Sequence, residues 1–199
     1  MARRLVAVVA TCLVLTVPAL GMPQDLLKTD AAKMQQKITA IVARSETPPE
    51  KTAKPLRTSF TDREVNAYFK HSAEMPAGVV DPRVTIEDAG RVQARATVDL
   101  SAIRTSKPRG WFDPLAYVMG SVEVAAVGRV TAADGKGTLQ IDQATVGGVT
   151  IPPALLQEIV SYYTKTPESP DGFQIDKPFQ LPAKIRAVET KRGLATVVQ

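Results

Sequence analysis

The sequence predicts an α+β fold: a curved antiparallel β-sheet of hairpins packed around two or three helices. Three observations lead there. The apolar period is 3.6 over residues 24–44 and again over 61–73, and it changes to 2 from Arg83 onward. Turn signals at Asp88-Ala89-Gly90 and Asp134-Gly135-Lys136-Gly137 divide the period-2 stretches into hairpins. Strands and helices do not alternate, and no glycine-rich phosphate loop joins a strand to a helix, so a doubly wound sheet is excluded.

Residues 1–21 read as a secretory signal peptide. Arg3 and Arg4 make a positive start, Leu5 to Val17 is uncharged and mostly apolar, and Ala19 and Gly21 are the small residues of a cleavage site after Gly21. The apolar run reaches about Met22 and contains Pro18, which is short of the ~20 residues of a spanning helix; a retained anchor is the rival reading. The expectation is an exported protein, periplasmic or extracellular. Loss of Arg3 and Arg4 would lower the net charge from +5 to +3, with 23 basic against 20 acidic residues. So small and scattered an excess does not describe a nucleic-acid protein, while an anionic membrane surface stays open as a partner.

Along the remaining chain, residues 22–44 carry an amphipathic helix. Leu27, Ala31, Met34, Ile38 and Ile41 form its apolar seam, and lysines and glutamines fill the other side. Residues 45–59 hold three prolines and no apolar period, which reads as a linker. Residues 60–199 then form one α+β domain. Thr61 and Glu64 make a capping box, with Phe60 and Val65 at the staple positions. Val65, Tyr68 and Phe69 share one side of the helix that follows. In the first hairpin a three-residue loop, with Gly90 left-handed, sets Ile86 opposite Val92 and Glu87 opposite Arg91. In the second, a four-residue loop at 134–137 would set Val130 opposite Ile141 and Arg129 opposite Asp142. A helix from Pro153 to about Lys165 follows, with Leu155, Leu156, Ile159, Val160 and Tyr163 as its buried stripe. An extended arm leads to a last hairpin at Arg192-Gly193.

Chemistry is mostly excluded. Cys12 is the sole cysteine and lies in the signal peptide, so the processed chain has neither a thiol nucleophile nor a thiolate metal site. His71 is the sole histidine, at the polar end of a short helix, and reads as a solvated surface residue; no histidine-rich metal site can form. No G-x-S-x-G motif is present, and no carboxylate pair lies in an apolar setting. The expectation is a protein that is not an enzyme, with neither cofactor nor metal.

Two features suggest apolar contact instead. Inward sheet positions are often small (Ala94, Ala96, Ala126, Gly128, Ala187), which reads either as close helix-on-sheet packing or as a groove suited to acyl chains. Three of the ten aromatic residues lie in the stretch "RGWFDPLAYVMG". Trp111, Phe112, Leu115, Tyr117 and Met119 would either plug one end of the core or form a lip at a membrane boundary, with Arg104, Lys107 and Arg109 nearby for anionic headgroups.

The segments "FTDREVNAYF", "PAGVVDPRVTIEDAGRVQARATVDL", "GGVTIPPALLQEIV" and "PFQLPAKIRAVETKRGLATV" resemble the LmeA-like group of secreted phospholipid-binding proteins, over roughly Phe60 to Val198. The resemblance implies a tubular-lipid-binding-like fold and a non-catalytic role in envelope lipid handling. The helix at 24–44, the proline linker and the aromatic stretch depart from that pattern, and no family site residue transfers. The candidate ligand residues of groove and lip are therefore Tyr68, Phe69, Trp111, Phe112, Leu115, Tyr117, Met119, Leu156, Ile159, Val160 and Tyr163. A phospholipid or other lipid is the expected partner. The alternative is a structural module of the cell envelope whose helix 24–44 binds a partner protein.

Overall fold

The computed structural model describes residues 24–47, 54–71, 78–102, 120–167 and 169–199, with the side chains of 24–26 and 163 outside that description. The signal peptide and most of the aromatic stretch fall outside the described residues. In chain order the elements are α1 (Gln24–Glu46), β1 (Arg57–Thr61), α2 (Asp62–His71), β2 (Val79–Ile86), a 3-10 turn (Asp88–Gly90), β3 (Arg91–Asp99), β4 (Ser121–Ala133), β5 (Lys136–Val146), β6 (Val149–Thr150), α3 (Pro153–Thr164), β7 (Phe179–Gln180), β8 (Ala187–Lys191) and β9 (Leu194–Val198). β1 begins inside the stretch read as linker.

Among the described residues the nine strands form one antiparallel sheet, in the order β1-β9-β8-β4-β3-β2, with β5 on the other side of β4. β4 organises it. Its first nine residues pair with β3 and Ala132 pairs with Val188 of β8, while β5 runs along Val124 to Ala133. The fold class is therefore the α+β arrangement expected: tight turns set the pairs β2–β3, β4–β5 and β8–β9, while β1–β9, β4–β8 and β5–β7 join segments far apart in the chain.

The first hairpin has the expected register. Ile86 faces Val92, Gly90 has φ 78°, and the Glu87 amide donates to the Arg91 carbonyl at 2.9 Å. The second hairpin does not. Its turn is the two residues Asp134-Gly135, with φ 51° and 76°, so Ala133 faces Lys136, Val130 faces Leu139 and Arg129 faces Gln140. Two consecutive left-handed residues match the twist of the flanking strands, and an Asp-Gly pair adopts them readily. The slip from the four-residue loop is two residues, so each side chain keeps its face. A bulge between Val127 and Gly128 then leaves Asp142 as the extra residue of β5.

The best-packed region lies where the helices meet β1 and β9: Ala31, Ile41, Phe60, Ala67 and Val198 are all buried. The capping box forms as expected. The Glu64 amide donates to Thr61 Oγ1 at 3.1 Å, and the Thr61 amide donates to Glu64 Oε2 at 3.0 Å. Ala31 and Ile41 of the α1 seam are buried, and Leu27, Met34 and Ile38 are half-buried. The C-terminal residue fastens the far end of α1: Gln199 Nε2 donates to the Ile41 carbonyl at 3.0 Å.

Candidate functional site

The register aligns the inward residues of four strands into rows. Ile86, Val92, Gly128 and Ile141 form one row; Val84, Ala94, Ala126 and Ala144 form the next. Ala96, Val124 and Val146 form a third, and Val79, Val98 and Val122 a fourth. Alternation carries the same face through Ala132 and Val188 to Ala195 and Phe60. Every one of these side chains is aliphatic or aromatic, or a glycine hydrogen.

This face is unevenly covered. Lys37 of α1 places its ammonium 5.6 Å from the centre of the Phe60 ring, so α1 lies over the β1 end, and Phe60 is only 7% exposed. α2 flanks the β2 edge, where Asn66 donates to the Val84 carbonyl at 2.8 Å and accepts from the Val84 amide at 2.7 Å. α3 lies against β5. Between these helices the floor is β3 and β4. Ala94 there is exposed, and Val92, Ala96, Val98, Val122, Val124 and Ala126 are half-buried. Gly128 permits close strand approach: a Cβ there would lie 2.4 Å from the Gln140 carbonyl oxygen. Small residues thus make a shallow floor, and no large side chain of the described residues is fully buried.

A cleft of about 200 Å³ opens between β5 and α3, lined by Ile141, Ala144, Ile151, Pro152, Leu156 and Ile175 among others. Its far wall is held by Gln157, whose amide nitrogen donates to the Phe173 carbonyl at 3.0 Å and whose oxygen accepts from the Ile175 amide at 2.8 Å. The side-chain amide is consumed by the backbone, which leaves mainly hydrocarbon facing the cleft.

The two ends of the face differ. At one, the Phe179 ring lies over Gly137, where a Cβ would be 2.6 Å away, and packs edge-on to Phe173 with ring centres 5.5 Å apart. At the other end lie the valine row and Val149, which is 66% exposed. There Asp99 Oδ1 accepts from the Ser101 amide at 2.9 Å and caps a helical turn, and the Leu100 amide donates to the Gly120 carbonyl at 3.1 Å. The chain carrying Trp111 therefore leaves and re-enters the sheet beside the valine row.

A charged network ties α1 to α2 at the β1 end. Lys37 Nζ donates to both oxygens of Glu64, at 2.7 and 2.8 Å, and to the Ser59 carbonyl at 2.8 Å. Burial pushes the Glu64 carboxyl up, but hydrogen bonds from Lys37 and Thr61, with the Lys37 charge, outweigh it and hold the pKa below its ordinary value. Asp30 is 3% exposed, with Arg63 Nε 2.8 Å from its Oδ2. That approach is too bent for a hydrogen bond, so the oxygen is held by charge alone. These groups are committed to holding α1 on α2.

Of the residues singled out from sequence, Leu156 lines the cleft. Tyr68 and Phe69 are half-buried on α2, with ring centres 6.4 Å apart, and line neither this cleft nor the one at the β2 edge described below. Ile159 and Val160 are half-buried on α3. The side chain of Tyr163, and Trp111, Phe112, Leu115, Tyr117 and Met119, lie outside the described residues. Two expectations are corrected. Leu155 is exposed at 38%, because α3 turns Leu156 and Gln157 toward β5 instead. Ala187 lies on the opposite face, since β8 joins β4 through Val188 and its neighbours point away. Ile141, Ala144, Ile151 and Ile175 were not foreseen as lining residues; the apolar alternation of β5 carried the first, and no local signal carried Ile175. Among the described residues no cluster of three or more His, Cys, Asp or Glu side chains could hold a metal, and no helix is long and apolar enough to cross a membrane.

No family model matches the chain, and no curated protein matches it. Among solved structures, a crystal structure of lipopolysaccharide binding protein is similar over 77% of this chain at 18% identity and a TM-score of 0.23. The matched part is 45% of that protein, so the chain spans less than half its length. A likeness at that score carries no argument about this chain.

Proposed function

We propose that the chain is an exported, non-catalytic lipid-binding protein that holds a phospholipid or similar apolar ligand in the groove between sheet and helices. One observation supports this reading above the others: the floor of β3 and β4 is wholly apolar, small and half-open, flanked by α2 and α3. A sheet face that packs only against its own helices ordinarily fills such a floor with large side chains, since dense packing is what stabilises a core. An acyl chain supplies the missing hydrocarbon at ~0.8 kcal/mol for each methylene removed from water. The cleft at α3 extends the same apolar surface through Ile141 and Ala144; Asp142, Gln143, Thr150 and Asp176 also line it, and the Gln157 amide is bonded to backbone.

The second reading, a structural module that recruits a partner through helix 24–44, has less support. The helix seam is spent within the chain, with Ala31 and Ile41 buried. Gentle mass spectrometry of the secreted protein, followed by solvent extraction and lipid analysis, tests the proposal. A stoichiometric lipid is expected. A protein that emerges free of lipid, and that takes up none from mixed vesicles, sinks it.

A further inference from the structure

A second cleft, of about 220 Å³, lies at the β2 edge, away from the apolar floor. Arg63, Asn66 and Lys70 reach it from one face of α2, at spacings of three and four. Asp81, Pro82 and Arg83 reach it from β2. The β2–β3 ladder is interrupted between Val80 and Arg83, Asp81 has φ 51°, and Asn66 clasps both backbone groups of Val84 beside the interruption. Helix and strand are thus tied together at the cleft.

Its charges are not balanced. Arg63 is occupied by Asp30. Among the described residues, Lys70 and Arg83 have neither a hydrogen-bond partner nor an ion-pair partner, and both are exposed. Arg83 also stands directly opposite Arg95 across the β2–β3 pair, and Arg95 likewise has no counter-charge among the described residues. Like charges directly opposite on a sheet are destabilising. An anion in the cleft would relieve that repulsion, with an arginine fork and a lysine point charge as donors. The single carboxylate, Asp81, disfavours a dianion more than a monoanion.

We propose that this cleft binds a phosphodiester, the linkage found in a glycerophospholipid headgroup. Only the choice of headgroup as source rests on the lipid-binding reading; the anion site does not. The test titrates the secreted protein with glycerophosphoglycerol and, at matched ionic strength, with inorganic phosphate. It then measures sedimentation with phosphatidylglycerol and phosphatidylcholine vesicles. The diester should bind more tightly than inorganic phosphate, and the doubly substituted Lys70→Gln, Arg83→Gln protein should lose at least about tenfold in that affinity. Both side chains are exposed and the change removes the repulsion between Arg83 and Arg95, so the melting temperature should not fall. Asp81→Asn, tolerated at positive φ, should narrow the preference for diester over phosphate. Phosphatidylglycerol vesicles should be preferred by the parent protein and not by the double variant. Equal diester binding by parent and double variant overturns the site. Tighter binding of inorganic phosphate overturns the diester, and no preference among vesicles overturns the headgroup as its source. Because the titrant has no acyl chain, a failure of the apolar groove leaves these measurements unaffected.

Discussion

Glu64 connects the start of α2 to α1 through one carboxylate. It closes the capping box with Thr61 and receives Lys37 from 27 residues earlier in the chain. The capping half is readable from the spacing of Thr61 and Glu64; the Lys37 half is not, because it exists only once α1 has docked. Since burial raises the pKa but the bonded partners lower it further, the folded carboxyl titrates below its unfolded counterpart. Its contribution is therefore complete above the ordinary carboxylate range and is lost as the pH falls through that range to the folded value. Glu64→Gln should cost about 1–2 kcal/mol near neutrality. The gap between the two melting temperatures should close on acidification from about pH 7 to about pH 3. A gap that stays constant with pH would show that the carboxylate charge contributes nothing.

At the scale of elements, α1 is the informative case. Its seam reads as amphipathic in sequence, and an amphipathic helix beyond a proline-rich stretch serves equally as a docked helix or a partner-binding arm. The structure packs it on α2 and over Phe60, with Gln199 and Lys37 as polar ties. Deleting residues 22–46 should therefore uncover Phe60 and Ala67 and lower the melting temperature by more than about 10 °C, as the loss of several buried apolar groups implies. A truncated protein with an unchanged melt, but without an oligomer that the full chain forms, would favour the partner-binding module. The second hairpin teaches a related lesson. Clean separation of apolar and polar faces is satisfied by any even register, so alternation could not choose between the four-residue loop and the two-residue turn. Turn geometry at Asp134-Gly135 chose.

For the whole molecule, the groove hypothesis makes its prediction at the floor. Ala126→Leu adds bulk to a half-buried position facing Ala94 and Ala144. It should displace lipid while changing stability by less than about 1 kcal/mol, because the site is not close-packed. Retained lipid in that variant would place the ligand elsewhere. Trp111, the only tryptophan in the chain, reports on the stretch anchored beside the valine row. As a membrane lip its emission should shift to the blue with anionic vesicles, and the shift should weaken with salt. Trp111→Ala with Phe112→Ala should then reduce vesicle binding and leave the melt intact. If the two rings are core plugs, emission is already blue without lipid and each truncation costs about 3–5 kcal/mol.

The sequence by itself determined several pieces of local chemistry: the capping box, the three-residue loop at Asp88 to Gly90, the Pro153 helix and the closing hairpin. Each rests on contacts within a few residues, where periodicity, caps and turn residues act directly. Only the tertiary structure decided where α1 docks, which face Ala187 takes, and that Ile175 meets Leu156 across a cleft. It also brought Lys70 and Arg83 to one opening at the β2 bulge. Those arrangements depend on how separate surfaces cover one another, and burial is non-directional: it drives apolar faces together without specifying the partner. The choice of partner came from long-range register and from the few polar ties that only one docking satisfies.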